Sequence, residues 1–368
     1  MLFSSLRLHD FRSYSQVLLT PPAGVTVLAG PNGTGKTNLL EAVHLCCLGR
    51  SHRTSQDKDM IRHDRETAAV QLTVQRRDGP HQVGVRLFDN ARKRKVIYVN
   101  GKTVPRMGEL IGHATCVMFS PEDLQLIKDG PQIRRRFMDM LLSQQQRAYF
   151  YALQNYNSAL RQRNALLRAL QNGGGTAQLD AWDEQLAKCS APIVRLRRET
   201  VGVMRRNAAE HYSFVAGSGE EGFDMRYTGQ TAEADDPAEA LLALLKKNRE
   251  EDMRRLTTGA GPHRDDLLLY LNGRELKDFG SQGQIRTAAL SLRLASFDLL
   301  TLAQGETPLL LLDDVLSELD AGRRERLIER VSGAQALLTC TDTSDLIGAK
   351  PACVLHISRG ENGAMIRE

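Results

Sequence analysis

The sequence predicts an α/β fold of mixed sheets and helices: a strand-rich head whose two parts are separated by an inserted helical lobe. Three observations carry this. An apolar segment, Val25 to Ala29, runs into a glycine-rich loop, Gly30 to Thr37, that opens a helix. A second apolar segment, Pro308 to Leu312, ends in the carboxylate pair Asp313-Asp314. Between them, from residue 121 to about 256, apolar residues recur mostly three or four apart, the spacing of helices. The pattern divides the chain into residues 1–120, the N-terminal part of the head, 121–260, the helical insertion, and 261–368, the C-terminal part of the head.

Each element follows from local pattern. Leu6 to Leu8 and Val17 to Leu19 read as strands flanking a turn. Val70 to Val74 and Val83 to Leu87 alternate apolar and polar around Asp78-Gly79-Pro80, a hairpin pattern. Val96 to Val99 meets Asn100-Gly101, a tight-turn pair, and Cys116 to Phe119 reads as a core strand. Helical spacing from Pro121 to Leu170 stops at Asn172 to Gly175, so two antiparallel helices are expected around that turn. The second, Leu179 to Tyr212, is expected to break where Pro192 opens a new helix. Gly217 to Asp236 reads as loops or short strands, and Pro237 to Leu256 as one helix. Leu267 to Leu271 with Asn272-Gly273 restores strand character, and helices and strands alternate from there.

Composition bounds the function classes. With 368 residues, 49 Lys and Arg against 44 Asp and Glu, the chain is only mildly basic, so total charge does not identify a partner. No run approaches the ~20 apolar residues that span a bilayer. Residues Met1 to Arg12 lack the apolar core of a secretory signal. The six cysteines show no metal-ligand spacing and read as reduced thiols, so the expected place is the cytoplasm, with no membrane partner.

The loop Gly30-Pro31-Asn32-Gly33-Thr34-Gly35-Lys36-Thr37 matches G-x-x-x-x-G-K-[ST] in full. Glycines let backbone N–H groups curl around the β- and γ-phosphates of a nucleoside triphosphate. Lys36 adds a point charge to the same oxygens, and the Thr37 hydroxyl can ligate Mg²⁺. The following helix directs its N-terminus at the phosphates. Asp313, ending an apolar strand expected to lie beside the loop strand, is placed to hold Mg²⁺ through water, and Asp314 to polarise attacking water as a general base. Phe279 to Arg286 opens a long helix, where Ser281 and Gly283 with Gln282 and Gln284 form a second candidate anion site.

The order Lys36, Ser281, Asp313, with the last two 32 positions apart, resembles the loop, signature motif and carboxylate strand of ABC-type ATPases. Ser317 to Asp320 is similar to their D-loop. A head split by a helical insertion resembles the structural-maintenance-of-chromosomes class: an ABC/SMC-type P-loop ATPase head with a helical second lobe and no long coiled coil. More closely, the chain resembles the RecF family of bacterial recombination mediators. The resemblance rests on Leu8 to Tyr14, Gly30 to Thr37, Phe119 to Leu124, Gly130-Pro131 with Arg134 to Asp139, Gly261 to Leu267, Gly280 to Arg286 and Leu310 to Asp320.

The resemblance implies ATP and Mg²⁺ as cofactors and an ATP-dependent homodimer on DNA. In that dimer Ser281 and Gly283 would meet the γ-phosphate held by the other subunit. It further implies weak ATPase activity, RecA loading at single-strand gaps with RecR and RecO, and a part in replication, repair and SOS induction. Two departures stand out. The usual glutamate base is here Asp314, and no histidine follows the next strand, where Thr339-Cys340-Thr341 stand instead.

For DNA contact, the carboxylate-free run containing Arg92, Lys93, Arg94 and Lys95, with Lys102 and Arg106, is the candidate. Arg134 to Arg136 and Arg195, Arg197, Arg198, Arg205 and Arg206 add further charge, as DNA contacts or as partners of internal carboxylates. Without interleaved aromatics, duplex backbone contact is expected rather than base stacking. Two other readings compete: a non-hydrolytic, ATP-switched DNA scaffold, and the nucleotide-binding subunit of a transporter.

Overall fold

A computed structural model describes residues 1–90, 95–170, 177–217, 219–342, 350–360 and 363–367. The chain opens with β1 (Leu2–Phe11), β2 (Tyr14–Leu19) and β3 (Val25–Ala29), the last leading through the glycine-rich loop into α1 (Lys36–Leu48). Next come β4 (Thr67–Arg76), β5 (Gly79–Phe88), β6 (Lys95–Val99), β7 (Lys102–Val104) and β8 (Cys116–Phe119). Helices then take over: α2 (Gln125–Lys128), α3 (Pro131–Gln145), α4 (Arg147–Leu170) and α5 (Ala177–Ala216). After β9 (Phe223–Thr228) stand α6 (Pro237–Lys247) and α7 (Arg249–Arg255). β10 (Asp266–Leu271), β11 (Arg274–Glu275), α8 (Leu276–Phe279) and α9 (Gln282–Gln304) lead to β12 (Leu309–Asp313). The chain closes with α10 (Ala321–Val331), β13 (Ala336–Cys340), β14 (Cys353–Gly360) and β15 (Gly363–Arg367).

The chain forms two compact units. The first comprises Met1–Asp123, His211–Gly219 and Ala289–Glu368; the second comprises Leu124–Glu210 and Glu220–Ala288.

In the first unit, β2-β1-β4-β5-β6-β7 form an antiparallel sheet. Ala68, Val70, Leu72 and Val74 alternate onto its buried face, as a half-solvated antiparallel strand requires. The hairpin at Asn100-Gly101 has φ values of 51° and 77°, the double left-handed geometry that only such pairs adopt cheaply.

The second sheet runs β15-β14-β3-β13-β12-β8, parallel except at β15. Helix α1 packs on β4 and β5 of one sheet and on β8, β12 and β13 of the other. Covered on both sides, it buries eleven of its thirteen residues, including Glu41 and His44, whose polar atoms are bonded to Arg12, Ser51 and the Arg50 carbonyl. One expectation is corrected: β12 is not beside β3. β13 lies between them, with Leu338 paired to both Leu312 and Val27. All five β13 residues are buried, as suits a strand with a parallel neighbour on each side.

The second unit holds the sheet β11-β10-β9 and the helices around it. Two helix expectations fail. α5 runs 40 residues straight through Pro192. A proline there removes one backbone bond, but Leu186, Ile193, Val194, Val201 and Met204 are all buried, and that packing keeps the helix continuous. The region 237–256 is two helices, α6 and α7, which meet at Asn248. The turn at Asn172 to Gly175 lies outside the described residues. Among the described residues no helix exceeds α5, so there is no long coiled coil.

Candidate nucleotide site

The loop after β3 needs its glycines. Gly30, Gly33 and Gly35 have φ values of 151°, 75° and 114°. At Gly30 the requirement is also steric, because a Cβ would stand 2.2 Å from the Ile357 carbonyl oxygen.

Neighbouring elements clamp the loop. Gly30 N–H donates to Cys340 O at 3.2 Å. The Tyr14 hydroxyl donates to Gly35 O at 3.1 Å, and Arg359 Nη2 donates to Gly33 O at 3.2 Å. Pro31, Asn32 and Gly33 form the exposed rim, while Thr34 is buried and donates to Pro31 O at 2.9 Å.

Lys36 is 7% exposed, and its ammonium donates to the carbonyls of Gly30 and Pro31. The cation thus folds over the concave side of its own loop. Burial lowers its pKa below the usual lysine value, with Asp314, Cys340 and Asp313 opposing the shift. A buried ammonium held by two carbonyls gains from an anion placed in the same concavity.

The carboxylate strand reaches the loop helix directly. Thr37 Oγ1 and Thr339 Oγ1 both donate to Asp313 Oδ1, each at 2.9 Å. Thr339 Oγ1 also accepts the Asp314 N–H at 2.8 Å. Asp314 has φ 51°, a left-handed conformation that turns the chain sharply after β12. Burial raises the Asp313 pKa above the usual carboxylate value, and the two threonine hydroxyls partly offset this.

A hydroxyl and a carboxylate converging at this distance form a set of hard oxygen donors, as Mg²⁺ requires. Among the described residues no cluster of three His, Cys, Asp or Glu side chains could hold a metal alone. Thr37 and Asp313 therefore suit an ion that takes its remaining ligands from phosphate and water, and the residues fit it.

Ser281, Gln282, Gly283 and Gln284 lie in the second unit. There Ser281 and Gln284 cap α9 reciprocally. Ser281 Oγ accepts Gln284 N–H at 3.3 Å, and Gln284 Oε1 accepts Ser281 N–H at 2.8 Å. Ser281 and Gln282 are exposed.

The basic candidates separate into two groups. Arg92, Lys93 and Arg94 lie outside the described residues. Lys95 is committed, its ammonium 2.8 Å from both Gly49 O and Asp57 Oδ1. Arg134 forks onto Asp266 with two contacts of 2.7 Å, and Arg135 donates to Asp265 O at 2.6 Å. Arg197, 1% exposed, donates to Asp139 at 2.7 Å. Arg205 pairs with Asp224. Arg134 and Arg197 thus serve buried ion pairs of the second unit, while Arg135 holds a backbone carbonyl and Arg205 a pair at the exposed surface.

Sequence reading passed over Tyr14 as a clamp, and Arg359. Tyr14 sits in a segment chosen only for resemblance, and no local pattern marks Arg359, which β14 brings to the loop by pairing with β3. Thr339 was visible only as the residue where a histidine was absent.

Comparison with known proteins agrees with this architecture. The RecF/RecN/SMC N-terminal domain family matches residues 2–359. The DNA replication and repair protein RecF of Alkaliphilus oremlandii is 38% identical over 370 residues, covering 98% of this chain and all of that one. RecF of Clostridium perfringens strain SM101 is 36% identical over 346 residues, 94% of each chain. A solved structure of the recombination mediator RecF with ATP, described within the RecFOR pathway, superposes with a TM-score of 0.92 at 32% identity. It covers 100% of this chain and 98% of that one. The chain belongs to the RecF family of the RecF/RecN/SMC class, and its fold is the ABC/SMC-type ATPase head with mixed sheets and helices.

Proposed function

With that membership as the premise, we propose that the chain is an ATP-binding DNA replication and repair protein. It holds ATP and Mg²⁺ at Gly30 to Thr37 and Asp313, and dimerises on DNA with ATP between the subunits. The observation that carries this reading is the 2.9 Å contact from Thr37 to Asp313, which joins the phosphate loop to the carboxylate strand.

In this reading the loop N–H groups and the α1 N-terminus bind the phosphates, and Lys36 exchanges its two carbonyl partners for phosphate oxygens. Thr37 and Asp313 would hold Mg²⁺, which would supply positive charge to the triphosphate. Asp314, oriented by its N–H bond to Thr339, takes the proton of the attacking water. Its side chain is one methylene shorter than a glutamate, which suits slow hydrolysis. Ser281 and Gly283 supply their hydroxyl and backbone to the γ-phosphate held by the second copy, which makes each site composite.

DNA contact is assigned to the segment of Arg92, Lys93 and Arg94. RecR and RecO are the proposed protein partners, by analogy with the pathway in which the relative is described. The cytoplasm is the proposed location: no described helix is long and apolar enough to cross a membrane, and all six cysteines are free.

The decisive experiment sizes the protein with ATP, with ADP, and with ATP plus gapped duplex. A dimer is expected with ATP and not with ADP. A monomer under all three conditions overturns the reading. Lys36→Arg is expected to keep nucleotide binding and lose turnover, which separates hydrolysis from a purely ATP-switched scaffold.

A further inference from the structure

Gly261-Pro262-His263-Arg264-Asp265-Asp266-Leu267 takes no part in the nucleotide site described above. In the second unit, Arg264 and Asp266 line an open cleft of about 620 Å³ together with Thr228, Gln230, Arg255 and Thr257. That volume is within the range of small-ligand sites, ~300–1,000 Å³.

The wall carrying Arg264 is held from behind. Arg197 donates to Pro262 O at 2.8 Å. Burial pushes the His263 pKa down to about 4, so the ring is neutral. Its Nε2 lies 3.0 Å from Thr258 O, which can only accept, so Nε2 carries the proton. Nδ1 then accepts the Tyr156 hydroxyl at 2.6 Å. Arg264 is therefore presented by a turn whose neighbours are already bonded.

Charge in the cleft favours an anion. Its one lining carboxylate, Asp266, is occupied by Nε and Nη2 of Arg134. Arg255 is paired with Glu251. Arg264 is exposed, donates once, from Nη2 to Thr258 O at 3.2 Å, and has no carboxylate at ion-pair distance among the described residues. Most of its planar donor fork is left for a ligand, with the threonine residues Thr228 and Thr257 in the same lining. Such a fork matches the oxygens of a phosphate and binds them bidentately.

We infer that this cleft is a second phosphate-binding site, centred on Arg264 and separate from the phosphate loop. Its ligand is a phosphate group, carried either by a free pyrophosphate-like molecule or by a nucleic-acid backbone.

The test uses the full chain carrying Lys36→Ala, without nucleotide, so that its outcome is independent of the phosphate loop. Inorganic pyrophosphate is titrated calorimetrically, and a fluorescent duplex of about 20 base pairs is titrated by anisotropy across salt concentrations. Arg264→Gln is expected to weaken the operative probe about tenfold, and Arg264→Lys less, because lysine keeps the charge and loses the fork. Gln230→Glu, which adds a carboxylate to the lining without touching the Arg264 bond, is expected to act in the same direction and decides the matter if Arg264→Gln does not fold.

Weakened duplex binding with a salt slope reduced by about one identifies a backbone phosphate. Weakened pyrophosphate binding alone identifies a free ligand, and weakening of both identifies a site open to either. Unchanged binding of both probes in both variants overturns the proposal.

Discussion

Thr339 Oγ1 lies 2.9 Å from Asp313 Oδ1 and at the same time accepts the Asp314 N–H at 2.8 Å. One hydroxyl on the central strand β13 thus ties together the two carboxylate residues at the end of β12. It stands on the strand after which related ATPases were expected to place a histidine. In this chain a threonine orients the proposed metal ligand and the proposed base together.

Removing that hydroxyl tests the assignment. Thr339→Val leaves the Asp314 N–H and one Asp313 oxygen without this partner, at a cost of ~1–3 kcal/mol in stability. ATP affinity is expected to stay within about threefold while turnover falls about tenfold, as for loss of an interaction made chiefly in the transition state. Thr339→Ser is expected to restore turnover. Equal losses in the two variants would refute an orienting role for the hydroxyl.

Capping and phosphate recognition at Ser281 can be separated by its partner in the cap. Gln284→Ala removes the acceptor of the Ser281 N–H but leaves the serine hydroxyl in place. It is expected to cost ~1 kcal/mol in stability and to leave ATP-dependent dimerisation intact. Ser281→Ala is expected to cost about the same in stability and to abolish the dimer seen by light scattering. If both variants dimerise equally, Ser281 is only a helix cap.

The loop glycines differ in the reason they are needed. Gly30→Ala drives a Cβ into the Ile357 backbone, which cannot move away without breaking β14 from its sheet. A loss of ~3 kcal/mol or more is expected, read as a large fall in Tm. Gly33→Ala meets only the end of the Arg359 side chain, at 3.5 Å, so its cost is the left-handed backbone alone, ~1–2 kcal/mol. Equal losses would contradict the steric account.

Two buried imidazoles make stability depend on pH in a stated direction. Burial lowers the His44 pKa to about 3 and that of His263 to about 4. Each ring takes up its proton more readily in the unfolded chain, so its contribution is complete above pH ~6.5 and is lost progressively below it. The loss extends to about pH 4 for His263 and about pH 3 for His44. Within that window each ring contributes a slope of at most ~1.4 kcal/mol per pH unit. Urea midpoints are expected to fall between pH 7 and pH 5, and His44→Gln to flatten the fall. A midpoint rising on acidification would contradict the burial argument.

What the sequence determined by itself was local and periodic. The strand Val25–Ala29, the phosphate loop, the alternating hairpin β4-β5 and the double-left-handed turn at Asn100-Gly101 all follow from residue chemistry within a few positions. So does the likeness that placed the family. Tertiary structure decided everything that depends on long-range pairing. β13 stands between β3 and β12, because the order of parallel strands is set by the crossover connections rather than by any local signal. α5 passes through Pro192 because its buried face outweighs one lost backbone bond. Of the arginines that read as a basic surface, Arg134 and Arg197 turned inward, because aspartates far along the chain meet them there, while Arg106, Arg136, Arg195, Arg205 and Arg206 stay exposed. Arg134 finds Asp266 across 132 residues, and Arg197 finds Asp139 across 58. Charge counted along a sequence has no partner; the fold supplies one, and with it the difference between a buried ion pair such as Arg134–Asp266 and the exposed guanidinium of Arg264.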